Sequence, residues 1–326
     1  MEIVLNTYGT SLNRDNEAFV VSNDMGRRRV PPEGITRIVA GKGVSITTDA
    51  MLLAIEREIE IVVVDRRGQP QGLVWSHRYG SVSTIRKGQL EFTRSPEAVT
   101  WVKGIIKRKV ENQQAMLLMG DGGNEHDAQA LRKAIARLDH MTSRLDRVQG
   151  ERIGDVAGQL RGLEGTASRV YFDALNLLLP AEYRFDERSQ HPARDVTNAL
   201  LNYGYGMLYV KVESALIRAG ADPYIGVLHR DEYNRPVLVY DLIEPYRAWV
   251  DYVVYTLLAQ RAVTADYCSV DDSGACWLEN MGRRVLIQSL NDYMEEVVSI
   301  DGTQRSREHH IFLAAQALAQ RFKAMC

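Results

Sequence analysis

Residues 80–96 read GSVSTIRKGQLEFTRSP, and the sequence pattern changes across them. On the N-terminal side, short runs rich in Val and Ile alternate with turn residues, as in EAFVVSN (17–23) and EIEIVVVD (58–65). Such runs, bounded by Gly, Pro, Asn and Asp, are typical of β-strands. One short helix is predicted within this part, at residues 49–58, where apolar residues share a face.

From Pro96 onward the apolar residues recur with the period of 3.6 that is typical of α-helices. The sequence therefore predicts an α+β protein: a small N-terminal β domain over 1–85, a linker over 86–95 and a larger, mostly α-helical domain over 96–326. The helices predicted in the last part are 96–119, 124–140, 143–162, 162–179, 195–219, 243–260, 276–297 and 304–323.

Composition excludes several classes of protein. A chain of 326 residues with 45% hydrophobic and 25% charged residues is typical of a globular protein with a sizeable core. Three cysteines are too few for a disulfide framework, which favours a reducing, cytoplasmic compartment. We expect no secretory signal and no membrane-spanning segment, because the apolar runs are short.

A net charge of −2 argues against a protein that coats nucleic acid by bulk attraction. Local phosphate contacts need only a few basic side chains, and the runs Arg27–Arg29 and Lys107–Lys109 are candidates. The alternative for both runs is solvated surface, which is how most charge runs behave.

Four residues form the best candidate for a chemical site: Glu164, His229, Asp241 and Glu244. Two carboxylates and an imidazole suit Mn²⁺ or Mg²⁺ better than a structural zinc, which prefers more sulfur and nitrogen ligands. The sequence also allows a structural interpretation, in which Asp241 and Glu244 form a capping box at a helix start. His229 would then be an ordinary hydrogen-bonded residue, and Glu164 a carboxylate at the edge of the core.

A weaker candidate for zinc consists of Cys268, Cys276, His309 and His310. No Cys-x-x-Cys pair supports it, so the spacing predicts little.

Three stretches strongly resemble the CRISPR-associated protein 1 family, the integrases that insert spacers into CRISPR arrays. They are EGTASRVYFDALNLLLP (164–180), the long stretch from FDERSQ to DLIEPYR (185–247), and the N-terminal NTYGTSL (6–12) with GKGVSITTDAMLLA (41–54). The resemblance implies the family fold, a β domain followed by a helical catalytic domain. This agrees with the pattern described above.

The resemblance implies that Glu164, His229 and Glu244 bind Mg²⁺ or Mn²⁺ and that Asp241 is a further active-site acid. It implies attack by the 3′-hydroxyl of a DNA fragment on a phosphodiester at the edge of a repeat. Hydrolysis by the same site would make the protein an endonuclease. The alternatives are a catalytically inactive DNA-binding scaffold and a general metal-dependent nuclease that does not join strands.

The implied partners are double-stranded DNA, both prespacer and CRISPR repeat, and CRISPR-associated protein 2. The family works as a homodimer, with two dimers bridged by that partner, and we expect the N-terminal domain to contribute to dimerisation and DNA contact. Further DNA contacts are expected near the site, although Arg247 could instead pair with Glu244. These candidates are Asn198, Asn202, Tyr203, Tyr205, Arg235 and Arg247.

Overall fold

The computed structural model describes residues 2–35, 37–65, 68, 70–74, 82–120, 123–190, 192–229 and 235–326. The chain divides into two compact units, Met1–Gly80 and Ser81–Cys326. The first is rich in β-strands and the second is mostly helical, which confirms the predicted α+β class.

Among its described residues, the N-terminal unit contains two four-stranded sheets and one helix. The first sheet has the order β1-β5-β7-β8, and the second has the order β4-β3-β2-β6. β1, β5 and β7 are parallel to one another, whereas β8 is antiparallel to β7. Its elements are β1 (Glu2–Leu5), β2 (Ser11–Asp15), β3 (Ala18–Asn23), β4 (Gly26–Val30), β5 (Arg37–Ala40), β6 (Ser45–Ile46), α1 (Thr48–Glu56), β7 (Glu60–Val64) and β8 (Pro70–Val74).

The inward-facing residues of these strands form a core of their own with α1. Phe19 of β3, Ile38 of β5 and Leu53 of α1 are fully buried in it. α1 begins where the side-chain oxygen of Thr47 accepts a hydrogen bond from the Ala50 amide at 3.3 Å, as expected of an N-cap threonine. The basic run Arg27–Arg29 lies on the exposed strand β4.

The described part of the C-terminal unit is built from helices, with two small antiparallel hairpins, β9–β10 and β11–β12. Its elements are α2 (Val82–Phe92), α3 (Pro96–Leu117), α4 (Glu125–Asp146), α5 (Ile153–Leu178), α6 (Val196–Arg218), α7 (Val237–Leu242), α8 (Arg247–Ala259), β9 (Cys268–Val270), β10 (Cys276–Leu278), α9 (Asn280–Glu295), β11 (Val297–Ile300), β12 (Thr303–Ser306) and α10 (Arg307–Ala324). No helix within these described ranges is both long and apolar enough to cross a membrane.

The predicted linker over 86–95 is corrected by the structure. Residues up to Phe92 belong to α2, and the Phe92 ring is fully buried against Phe322 of α10. The chain divides at Gly80 and Ser81 instead. The amphipathic character of α2 is what places it in the helical core, and the short stretch 93–95 is all that separates it from α3.

The helices predicted over 143–162 and 162–179 also differ from the structure, because one continuous helix, α5, covers the second half of the first range and nearly all of the second. The break lies earlier, between Asp146 and Ile153, where the Asp155 carboxylate accepts a hydrogen bond from the Arg152 amide at 3.0 Å. Near the C-terminus, the predicted helices 276–297 and 304–323 begin later than expected. Their first residues form strands, β10 and β12.

Candidate active site

Three segments of the helical unit bring the predicted site residues to one small pocket. Glu164 comes from the middle of α5, and its side chain is 28% exposed at the margin of the apolar stripe that faces α3. Glu244 lies in a single 3-10 turn, Glu244–Tyr246, between α7 and α8. His229 precedes α7. The pocket has a volume of about 20 Å³, and its lining includes Glu164, His229, Asp241 and Glu244.

Asp241 holds the backbone and the imidazole of the His229 segment in place. Its Oδ2 accepts hydrogen bonds from the amides of Val227 at 2.7 Å and Leu228 at 3.1 Å. Its Oδ1 accepts from the His229 amide at 3.1 Å and lies 2.7 Å from Nδ1 of the same residue. The pairing with a carboxylate places the ring proton on Nδ1, which leaves the lone pair of Nε2 free to bind an ion.

The capping-box interpretation of Asp241 and Glu244 is wrong. Asp241 lies inside α7 rather than at a helix start, and its carboxylate is committed to the segment 227–229. α8 begins after Tyr246, which makes no side-chain capping hydrogen bond. Both acids are buried for a reason other than helix capping.

A lysine that the sequence analysis did not assign to the site lies between the two glutamates. The Lys109 side chain, on α3, is 5% exposed, and its ammonium contacts Glu164 Oε1 and lies 2.5 Å from Glu244 Oε2. Ser168, one turn along α5, donates a second hydrogen bond to Glu164 Oε1 at 3.0 Å. Burial alone would lower the pKa of Lys109, but the charges of Glu244 and Glu164 outweigh it and raise that pKa.

Glu244 is held ionised by two cations. Arg247 Nε donates to Glu244 Oε1 at 2.9 Å, and Lys109 faces the other oxygen. Burial would raise the pKa of this carboxyl, but the positive charges of Arg247 and Lys109, with the hydrogen bond from Arg247, lower it to about 2. At neutral pH the site therefore presents a carboxylate rather than a carboxylic acid.

His229 is the most exposed of these groups, with 40% of its side chain accessible. Partial burial lowers its pKa, but the hydrogen bond and charge of Asp241, followed by the charges of the two glutamates, raise it overall. A bound cation would oppose this by competing for the imidazole.

These donors fit a divalent ion in kind. They offer two carboxylates and one imidazole nitrogen, and Glu244 Oε2 is buried without a hydrogen-bond donor, since the Lys109 contact has the distance but not the direction of a hydrogen bond. As they stand, however, no three His, Cys, Asp or Glu side chains in the described part of the chain are grouped closely enough to hold an ion. The ammonium of Lys109 separates the carboxylates.

The structure gives several of the predicted DNA-contact residues structural partners. Asn202 accepts from Arg188 at 2.6 Å and donates to the carbonyls of Ser189 and Gln190, so its amide anchors the segment before α6. Asn198 bonds the same segment, its oxygen accepting from Arg188 at 2.7 Å. Arg247 pairs with Glu244, as the alternative interpretation expected.

Tyr205 contacts two guanidinium groups through its ring. Arg188 is 5.5 Å and Arg247 4.9 Å from the centroid of its ring, and its hydroxyl donates to Asp251 at 2.5 Å. These contacts give the ring and its hydroxyl partners within the protein. Tyr203 packs partly buried against the helical core, whereas Arg235 is exposed. DNA contact by any of these residues stays a prediction.

Asp251 is a second buried charge that sequence reasoning missed. It is 1% exposed, and its two oxygens accept hydrogen bonds from Tyr205 and, at 2.8 Å, from Tyr171 of α5. Burial raises the pKa of Asp251 to about 6, although the two tyrosine hydrogen bonds and the nearby arginines oppose the shift. The cluster ties α5, α6 and α8 together beside the pocket.

The weaker zinc candidate gains no support. His310 pairs with the carbonyl of Val298 at 3.1 Å, and among the described residues no His, Cys, Asp and Glu group suited to a metal ion includes Cys268 or Cys276.

Comparison with known proteins shows to which family the chain belongs. The model of the family described as CRISPR associated protein Cas1 matches residues 3–292. The chain belongs to the Cas1 family. A CRISPR-associated endonuclease Cas1 of Archaeoglobus fulgidus is 32% identical over 329 residues, covering 97% of this chain and 94% of that protein.

Two solved structures share the fold of this Cas1-family chain. A casposase bound to its integration product has a TM-score of 0.81 and 22% identity, over 99% of this chain and 90% of the casposase. A Cas6-RT-Cas1–Cas2 complex has a TM-score of 0.78 and 23% identity, over 99% of this chain and 35% of that one. At these identities the likeness establishes the fold alone.

Proposed function

We propose that this protein is a metal-dependent DNA integrase and endonuclease that inserts short DNA fragments into a CRISPR array as new spacers. The observation that carries the proposal is the orientation of His229. Asp241 occupies its Nδ1 and leaves Nε2 free beside Glu164 and Glu244 in one pocket. Family membership supports the DNA substrate, and the name of the Archaeoglobus relative supports the endonuclease activity.

The residues that would hold Mg²⁺ or Mn²⁺ are Glu164, His229 and Glu244. When bound, such an ion activates an oxygen nucleophile and stabilises charge that develops on the phosphodiester. Asp241 acts through His229 by fixing its tautomer and orientation, and so is a positioning residue. Arg247 keeps Glu244 ionised by pairing with the oxygen that faces away from Lys109.

The reaction we propose forms one bond and breaks one. The 3′-hydroxyl oxygen of the incoming fragment bonds to the phosphorus at the edge of a repeat and loses its proton. The bond from that phosphorus to the 3′ oxygen of the repeat strand breaks, and that oxygen gains a proton. With water as the nucleophile, the same exchange is hydrolysis.

We also propose the assembly expected of this family: a homodimer, with two dimers bridged by a Cas2 protein on DNA. The shared fold with the Cas1 part of a Cas6-RT-Cas1–Cas2 complex is consistent with this assembly. The formal net charge of −2 also favours it, because a chain without a strong field of its own gains from a partner that helps to bind DNA.

Strand joining tests the proposal directly. A supercoiled plasmid carrying a repeat is incubated with duplex DNA bearing free 3′-hydroxyls, Mn²⁺ or Mg²⁺ and the Cas2 partner. Joined product should form with the wild type and disappear with His229→Ala and Glu244→Gln. His126→Ala is the matched control, because that histidine side chain is 90% exposed at the start of α4 and should behave as the wild type does.

The outcomes separate the proposal from its alternatives. Cleavage without joining would indicate a general nuclease. DNA binding without either reaction would indicate an inactive scaffold. Joining by folded His229→Ala and Glu244→Gln variants at the wild-type rate would refute the assignment of the site.

A further inference from the structure

The position of Lys109 is unusual for a lysine. It lies on the buried stripe of α3, with Val102 and Ile106 on preceding turns and Gln113 on the next, and its side chain is only 5% exposed. Lysine is almost never buried to this degree unless it is paired. Here the pairing is double, because the ammonium contacts one carboxylate oxygen from Glu164 and one from Glu244.

The charges around Lys109 explain why it is tolerated there. Two carboxylates so close together repel each other, and burial makes the repulsion stronger. Arg247 compensates Glu244 through Oε1, so Oε2 and the Glu164 oxygen share the Lys109 ammonium. Removing this cation would leave a buried anionic oxygen of Glu244 and a partly buried one of Glu164 facing each other.

The ammonium also stands where a divalent ion would be bound. Ions of this class bind carboxylate oxygens at about 2.0–2.6 Å, and Lys109 Nζ lies 2.5 Å from Glu244 Oε2 while contacting Glu164 Oε1. The ammonium and an ion cannot both lie between those oxygens, because they would overlap and repel. Binding therefore requires one to displace the other.

We infer that Lys109 is a built-in counter-ion of the site, which holds Glu164 and Glu244 in place without metal and withdraws when a divalent ion binds. The inference rests on the proposed function for the ion itself. It assigns this lysine a role in metal affinity: the site remains assembled without metal, and it binds metal more weakly than the same carboxylates would without Lys109.

Lysine labelling of the wild-type protein tests the withdrawal. An amine-reactive reagent is applied with and without Mn²⁺ at concentrations that saturate binding by calorimetry, and modification is located by mass spectrometry. Lys109 should be protected without Mn²⁺ and modified in its presence. Lys107 is the internal control, because it lies on the same helix, pairs with Asp146 at 3.0 Å and is 40% exposed, so its modification should not change.

Substitution tests the effect on affinity. Lys109→Gln removes the charge but keeps a hydrogen-bond donor for the carboxylates, and Lys107→Gln is the matched control. Lys109→Gln should melt at a lower temperature than the wild type without Mn²⁺ and gain more from its addition. Its dissociation constant for Mn²⁺ should be about tenfold lower, because a charge that competes with the ion is gone.

The results distinguish this inference from the proposed function. If the wild type binds Mn²⁺ but Lys109 stays protected, or Lys109→Gln binds no more tightly, the counter-ion role is refuted and the metal site stands. If neither protein binds Mn²⁺, both are refuted. Should Lys109→Gln fail to fold, the labelling of the wild type and a titration of Lys109→Met still decide the question.

Discussion

Replacing Asp241 with asparagine should loosen the segment that carries His229. The substitution preserves size and hydrogen-bonding groups but exchanges one acceptor oxygen for an NH₂ group. Both oxygens of Asp241 are in use: Oδ2 accepts from the amides of Val227 and Leu228, and Oδ1 accepts from the His229 amide and faces its Nδ1. The asparagine can serve only one of the two sides.

The size of the loss in stability depends on which backbone amides lose the oxygen that accepts their hydrogen bonds. If the amide oxygen takes the Oδ2 position, the His229 amide is left without an acceptor and the imidazole must change tautomer, which puts the proton on Nε2. If it takes the other position, the amides of Val227 and Leu228 lose theirs. A buried donor left unpaired costs about 1–3 kcal/mol. The first arrangement leaves one amide unpaired and the second leaves two, so the first is favoured and we expect a loss of about 2 kcal/mol.

Hydrogen exchange measures this loss locally, which matters in a chain with two compact units whose global unfolding need not be two-state. Protection of the amides of Val227, Leu228 and His229 should fall by about 30-fold, the equivalent of about 2 kcal/mol. Mn²⁺ affinity should fall by about 10–100-fold, as for other groups that orient a ligand.

The control for this experiment is Asp146→Asn. Asp146 pairs with Lys107 and is 58% exposed, so the change in stability should be below about 1 kcal/mol. Unchanged protection of the segment 227–229 in Asp241→Asn would refute the account of how His229 is positioned.

Three further predictions concern pH and packing. Glu244→Gln should remove the loss of stability that the wild type shows as the pH falls from 4.5 to about 2. The folded-state pKa of Glu244 is depressed, so its stabilising contribution disappears when the carboxylate is protonated, and urea midpoints measured across this range give the slope. Asp251→Asn should remove the loss of stability that the wild type shows as the pH rises from 3.8 to about 6. Burial raises the pKa of Asp251, so ionisation over this range favours the unfolded chain, and urea midpoints measured across it test the prediction. Gly88→Ala should lower the melting temperature, at a cost of about 1–3 kcal/mol, because its Cβ would lie 1.7 Å from the Phe322 carbonyl oxygen, whereas Gly104→Ala, on a helix face with open space, should stabilise by up to about 1 kcal/mol.

The division into a β-rich and a helical part was predictable because the apolar period changes from 2 to 3.6 across residues 80–96, and that period determines which face is buried. Helix ends were less predictable. α5 continues through Gly162 and Gly165, where the glycine positions have open space and the helix tolerates them. The strands β10 and β12 are only three and four residues long, and in sequence they are indistinguishable from the helices that follow.

The sequence predicted the carboxylates and the imidazole of the site because they lie in motifs that resemble a known family. It did not predict which of them meet a ligand and which hold another side chain. Asp241 was expected among the catalytic residues, but every oxygen it has is committed to the segment 227–229. Such a role depends on a hydrogen bond between residues 12 or more apart, which no local spacing reveals.

Lys109 was missed as the second cation of the site for a related reason, although one signal was present. Lys107–Lys109 looked like a surface run, and Lys107 is indeed paired at the surface. Lys109 differs from Lys107 only in its position around the helix. It lies on the apolar stripe of α3, three residues after Ile106. A lysine on that face needs a carboxylate as a partner, and carboxylates that lie close together at the core need a cation. Each group supplies the charge that the other needs. A lysine on an apolar helix stripe, taken together with a cluster of acids elsewhere in the chain, therefore predicts a contact that neither feature predicts alone.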